Sequence, residues 1–308
     1  LKKTIAISTV VLGAAAAFVI LSSQTSVFGD LFSHLDNKAP VTANSGNTAN
    51  NQNTPGSKPS GKGNTGTKDN EASQQTDGKE VTAASATMTS SQAAFQSFLH
   101  ENSPALTIKK NADGKDIVTN ENSSLVLVNK KRELDSTYIP KDLVVAKVTF
   151  SFSGTSPKQQ LRAIAAEALE KLFAGAKKDG IELAAVSGYR SYVSQKSIFD
   201  NYARENGEEE ANTFSAHPGQ SEHQTGLAMD VSSASVKYNL DESFGESKEG
   251  KWLAEHAADY GFIIRYEKGK EDLTGYMYEP WHIRYVGVAV AQLMKKDHET
   301  LEQFLAKY

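Results

Sequence analysis

A histidine and an aspartate share one short segment, Ser221-Glu-His-Gln-Thr-Gly-Leu-Ala-Met-Asp230, and Glu279-Pro-Trp-His282 follows about 50 residues later. His223, Asp230 and His282 are of the types that hold a zinc ion by three ligands and leave its fourth position open to water. An open position marks a catalytic site, because a structural site closes its tetrahedron with a fourth protein ligand. Glu279 stands three residues before His282, close enough to act on that water as a base without occupying the metal. Taken singly, each of these residues is more often plain surface polarity. Their combination is read as a site.

Such residues need elements to hold them. Residues 227–231 read as a strand, with Leu227, Met229 and Val231 on one face and Ala228 and Asp230 on the other. Gly226 is placed to turn the backbone tightly between His223 and that strand. Residues 262–266 and 281–286 also read as strands, and 252–260 as a helix closed by Gly261. Upstream, Ser156-Pro157 offers an N-cap and a first-turn proline. Leu161, Ile164, Ala165, Ala168, Leu172 and Ala176 then recur at helical spacing until Gly180. A buried strand is expected over 181–187, and a helix capped by Ser191 over 192–206, ending at Gly207. Residues 125–128 and 142–150 have strand character, and Tyr138-Ile-Pro140 must be extended. A short helix is expected over 90–99, and one or two more over 288–305. Helices and short strands interleave without a phosphate loop or regular βαβ spacing. The pattern predicts a compact α+β domain, with a small mixed or antiparallel sheet flanked by helices.

The motif Ser221-x-His223-x-x-Gly226-x-Ala228-x-Asp230, with Glu279-x-Trp281-His282, resembles the signature of zinc D-alanyl-D-alanine carboxypeptidases of the VanY/LdcB type, relatives of the VanX dipeptidases. The likeness extends to Ser187-Gly-Tyr-Arg-Ser191, Arg284-Tyr-Val-Gly287, Leu127-Val-Asn-Lys130 and Tyr138-Ile-Pro-Lys-Asp-Leu143, in the expected order over about residues 125 to 290. It implies a single zinc peptidase domain binding one Zn2+ through His223, Asp230 and His282, with Glu279 as catalytic base. It also implies a role for Arg190, whose guanidinium can pair with a substrate carboxylate or a developing oxyanion. Ser221 and Gln195 occupy family-like positions that could hydrogen-bond substrate. Tyr189, Trp281 and Tyr285 read as packing residues.

Other polar clusters carry less. His217 lies six residues before His223, but Pro218-Gly219 marks a rim loop and the motif does not use it. His34, His100, His256 and His298 lack partner spacing. Glu208-Glu-Glu210 reads as a helix start or solvated face rather than a calcium site.

Composition bounds the partners. A net charge of -4 over 308 residues gives no broad basic field, so nucleic acid is not expected. With no cysteine, disulfides and thiolate ligands are excluded, and any metal must be held by histidine and carboxylate. Lys2 and Lys3 precede an apolar run over 5–21, the order of an export signal. The run continues past the alanines at 14–17, so an uncleaved anchor is preferred to a cleaved signal, with the remainder outside the membrane. Residues 31–88 are rich in Asn, Gly, Ser and Thr and should form a disordered tether. The expected organisation is therefore 1–30 anchor or signal, 31–88 linker, and 89–308 catalytic domain.

The resemblance then implies an extracytoplasmic D,D-carboxypeptidase trimming the terminal D-alanine from peptidoglycan stem peptides. An L,D-carboxypeptidase acting on tetrapeptide stems is the close alternative. A non-catalytic wall-binding module is the alternative of another class, and Glu279 and Arg190 count against it. No protein partner is implied.

Overall fold

The structure is a computed structural model that describes residues 90–308. The expected anchor (1–30) and linker (31–88) fall outside the described residues. The chain divides between Phe95 and Gln96, and the unit Gln96–Tyr308 carries the sheets and the site described below. Among the described residues, no helix is long and apolar enough to cross a membrane.

A four-stranded antiparallel sheet organises this unit, in the order β5-β6-β8-β7. Its strands are β5 (Ala184–Ser187), β6 (Ala228–Ser232), β7 (Phe262–Tyr266) and β8 (Glu279–Tyr285). Two small antiparallel pairs lie outside it, β1 (Ile108–Lys110) with β2 (Asp116–Val118), and β3 (Leu143–Val145) with β4 (Gln160–Arg162). Residues 90–101 form helix α1. Five further helices matter here: α2 (Ala163–Lys178), α3 (Tyr192–Asn206), α4 (Glu208–Phe214), α5 (Lys248–His256) and α6 (Val288–Asp297). A last short helix is α7 (Leu301–Leu305). The expected mixture of helices around a small antiparallel sheet is what forms.

Sequence alternation decides which face of the sheet becomes core. Leu227, Met229 and Val231 join Ile283 and Phe262 in one buried cluster with Leu169 and Leu172 of α2. Each such leucine, fully removed from water, contributes on the order of 2 kcal/mol. Asp230 and His282 occupy the alternate positions of β6 and β8 and are excluded from that cluster.

Local structure departs from expectation in three places. Ser156-Pro157 does not open the long helix. It caps a single 3-10 turn, Pro157–Gln159, with a full capping box, and the chain then pairs as β4 before α2 begins at Ala163. Leu161 therefore faces the core from a strand. Residues 125–128 are buried without forming a strand. Side chains satisfy part of that backbone: Arg132 Nε donates to the Leu127 carbonyl at 3.1 Å, and Arg284 donates to Val126 at 2.8 Å. The strand expected over 142–150 shrinks to β3, with Phe150 making an isolated bridge to Ala185.

Candidate metal centre and active-site cleft

Asp230 of β6 and His282 of β8 are direct register partners. His223 reaches them from a 3-10 turn, Glu222–Thr225, that ends at Gly226 with φ 68. A side chain at Gly226 would adopt a left-handed backbone and press on Leu143 and Arg162 at 2.9 and 3.0 Å. The glycine thus lets the turn lie flat on the β3-β4 pair and return at once into β6. The three residues offer ligand atoms within 4.8 Å of one another, and all three are buried. His223 Nε2 lies 3.4 Å from Asp230 Oδ2, and His282 Nδ1 lies 3.0 Å from Asp230 Oδ1. The two imidazole planes stand nearly perpendicular, 4.9 Å apart.

The donor set fits a metal ion. His223 donates through Nδ1 to the Gly188 carbonyl at 2.8 Å, which leaves the Nε2 lone pair pointing at the cluster. Gly188 is itself a close approach: a Cβ there would stand 2.5 Å from the Gln160 carbonyl oxygen. Burial pushes the His223 pKa down to about 3, keeping the ring neutral as a ligand must be. Asp230 falls below the ordinary carboxylate range; burial opposes this, but the charges and hydrogen bonds of His223 and His282 outweigh it. For His282, burial is outweighed by Asp230 and Glu222, and its pKa rises to about 9 in the metal-free site, a proton that a cation bound among the three residues would displace.

Glu279 comes to this cluster by a strand irregularity. In a regular strand, residues three apart point to opposite faces, so Glu279 would face away from His282. The register slips between β7 and β8: Ile264 pairs with Ile283, but Tyr266 pairs with Glu279. Two residues of β7 thus span four of β8. Across this bulge Glu279 Oε2 comes to 4.0 Å from His282 Nδ1, and both side chains line the same cleft. Burial raises the Glu279 pKa to about 7; His282 opposes the shift and Asp230 adds to it.

A second bulge, with Val186 as the extra residue between β5 and β6, sets Ser187 opposite Asp230. Arg190 follows, its backbone N–H donating to the His223 carbonyl at 3.2 Å. Its guanidinium is held by Gln195 Oε1 at 2.9 Å and Ser187 Oγ at 3.2 Å. Nε of Arg190 is buried without a hydrogen-bond partner, leaving the group with capacity for an anion. Gln195 lines the cleft, as the sequence reading of a substrate contact requires. Its carbonyl is taken by Arg190 and its NH2 donates to Ala216 O at 2.7 Å, so it orients the arginine. Ser221 is buried at the cleft wall.

The cleft has a volume of about 350 Å³ and is walled also by Lys158, Tyr202, Phe214, Leu240 and Trp281. Trp281, expected as pure packing, both packs on the core and lines this wall. A larger cavity of about 570 Å³, bordered by Lys147, Phe173, Lys177 and Tyr238, shares none of these residues. His217 stacks on Phe199 at 3.9 Å away from the cluster, and Glu208, Glu209 and Glu210 form the exposed first turn of α4.

One charged group went unread in the sequence. Glu222, beside His223, is buried with Arg265 Nε at 2.8 Å and Arg284 NH1 at 2.6 Å. Arg265 also forms a two-pronged pair with Glu302, at 2.9 and 2.6 Å. A signal existed: Arg284 shares the strand parity of His282, and Arg265 stands alone among apolar residues of β7.

A buried His-Asp-His cluster that could hold a metal ion, an adjacent carboxyl of raised pKa and a held arginine meet in one cleft. The chain belongs to the family described as VanY, D-alanyl-D-alanine carboxypeptidase, whose model matches residues 158–288. It is 51% identical over 198 residues to YodJ of Bacillus subtilis (strain 168), a carboxypeptidase by assignment, covering 64% of this chain and 72% of that one. It is 34% identical to the bifunctional D-Ala-D-Ala dipeptidase and carboxypeptidase VanXYC of Enterococcus gallinarum, covering 59% and 93% of the two chains. Among solved structures, the LdcB LD-carboxypeptidase matches with a TM-score of 0.63 at 51% identity, over 65% of this chain and 93% of that one.

Proposed function

We propose that the protein is a zinc-dependent carboxypeptidase releasing the terminal D-alanine of peptidoglycan stem peptides. The observation that carries this is the convergence of His223, Asp230 and His282 beside Glu279 in a cleft that also holds Arg190. Zinc held by the three ligands would supply a Lewis acid and water of pKa around 7. Glu279, carrying a raised pKa, is suited to take a proton from water and return it to the leaving amine. Arg190, fixed by Gln195 and Ser187, pairs with the substrate's free carboxylate or with the oxyanion. Ser221 offers a hydroxyl on the same wall.

Two scissile bonds fit this chemistry. The likeness to the LdcB LD-carboxypeptidase, at 51% identity, favours L,D cleavage of tetrapeptide stems. The family's description and the relative VanXYC favour the D,D cleavage expected from sequence. We place L,D first, because that likeness is the stronger of the two. Incubation of the purified protein with defined tri-, tetra- and pentapeptide stems, read by product mass, decides. Loss of one alanine from the tetrapeptide supports L,D; loss from the pentapeptide alone overturns it for D,D; loss from neither removes the carboxypeptidase reading.

The enzyme acts outside the cytoplasm in this reading, where its substrate lies. Residues 1–30 would anchor or export it, and 31–88 would link that segment to the catalytic domain. Fractionation with a C-terminal antibody tests the anchor. A soluble product with a new N-terminus just past residue 21 would show cleavage instead.

A further inference from the structure

The two carboxylate oxygens of Glu222 face different partners. Oε1 accepts from both Arg265 and Arg284. Oε2 accepts from neither and lies 3.5 Å from His282 Nε2, at the outer edge of hydrogen-bond range. Both atoms are buried, and neither has a hydrogen-bond partner elsewhere among the described residues. The other ring nitrogen of His282, Nδ1, faces Asp230 and Glu279. A neutral imidazole carries one N–H and one lone pair, and the nitrogen that meets a metal must present the lone pair. A carboxylate clamped between two guanidinium groups can only accept. The N–H of His282 therefore belongs on Nε2, directed at Glu222.

We propose that Glu222 is a positioning residue of the metal centre: it fixes the tautomer and direction of His282, so that Nδ1 is the ligating atom. The inference rests on reading His223, Asp230 and His282 as that centre. The two histidines would then ligate through opposite nitrogens. His223 spends Nδ1–H on the Gly188 carbonyl, and His282 spends Nε2–H on Glu222. The anchor is broad. Arg265 ties Glu222 to Glu302 of α7, and Arg284 ties it to the carbonyls of Ser124 and Val126. Tyr266 lies along the His282 ring at 5.0 Å and 30°, fixing the plane in which that hydrogen bond must form.

Glu222→Gln keeps the shape but presents an NH2. Turned toward His282, the amide demands an acceptor at Nε2 and so puts the proton on Nδ1. Turned the other way, it sets a donor against both arginines. The full-length chain is titrated with zinc against a competing chelator, with folding followed by circular dichroism. We expect the zinc affinity of Glu222→Gln to fall by about 10- to 100-fold. Glu302→Gln loosens the same arginine network without touching His282, and should lower thermal stability with zinc affinity unchanged. An unchanged affinity in folded Glu222→Gln overturns the proposal, as does an equal loss in Glu302→Gln. Should Glu222→Gln not fold, nitrogen-15 spectra of the zinc-loaded unmutated chain decide. A His282 proton on Nε2 supports the proposal and one on Nδ1 overturns it. His282→Ala separates the two readings: no loss of affinity there removes the metal site itself, whereas loss there but none in Glu222→Gln removes only the role of Glu222.

Discussion

Asp230 and His282 stand directly opposite each other across β6 and β8, with Oδ1 of the one 3.0 Å from Nδ1 of the other. Neighbouring strands lie about 4.8 Å apart, so side chains paired on one face meet without any loop having to bring them together. Two of the three candidate ligands are therefore fixed by the sheet ladder, and only His223 depends on a turn. This rigidity directs the first prediction.

Zinc content should be one equivalent per unmutated chain, measured by atomic emission after dialysis. His223→Ala, Asp230→Ala and His282→Ala should each lose most of it, since two remaining ligands hold zinc weakly. Full occupancy in the alanine variants would reject the ligand assignment.

Glu279→Gln preserves the shape at the bulge but cannot take a proton. Turnover should fall by about 10²- to 10⁴-fold while zinc is retained, the contribution of a positioned general base. Because the deprotonated form is the active one, kcat/KM should rise with pH through the Glu279 pKa. That pKa is about 7 from burial, and a cation beside it can only lower it, so the acid limb should lie at or below pH 7. Near-normal turnover in Glu279→Gln would exclude it as the base.

Arg190→Lys keeps the charge and loses the planar fork. If the arginine clamps the substrate carboxylate, KM should rise, and a C-terminally amidated stem should be a poor substrate even for the unmutated enzyme. If it stabilises the oxyanion, kcat should fall with KM little changed. Gln195→Ala should reproduce the Arg190→Lys pattern in weaker form, because it removes a hydrogen bond that holds the guanidinium. A Gln195→Ala enzyme with unaltered kinetics would show that Arg190 needs no such support.

Glu302 should make stability pH-dependent. Burial opposes its charge, but Arg265 outweighs burial and holds its pKa below the ordinary value of 4.5. A depressed carboxylate contributes stability that is fully present above the unfolded pKa and is lost as pH falls through the folded one. Thermal melts from pH 7 down to pH 3 should fall less steeply for Glu302→Gln than for the unmutated chain. At neutral pH the variant should be destabilised by about 1–3 kcal/mol, the cost of weakening a buried charged hydrogen bond. Parallel melting curves for the two proteins would refute the linkage.

The sequence by itself determined what local chemistry and short-range pattern can specify. Alternation across 227–231 separated Asp230 from Leu227, Met229 and Val231, because strand periodicity is a property of the backbone. Ser191 and Gly207 bounded a helix that forms as Tyr192–Asn206, since caps act within one turn. The ligand types of His223, Asp230 and His282 were legible for the same reason. Tertiary structure decided the rest. Ser156-Pro157 looked like the start of a long helix, but pairing with β3 took residues 160–162 into a strand, a contact made about 17 residues away along the chain. Chain proximity suggested that Glu279 lies near His282, yet strand geometry alone would have sent it to the other face. Only the register slip against β7 turns it into the cleft. Glu222 went unread in the sequence, because Arg265 and Arg284, which make its burial tolerable, stand 43 and 62 residues away. Burial of a charge depends on partners that only the folded chain brings within reach, and no local pattern encodes that distance.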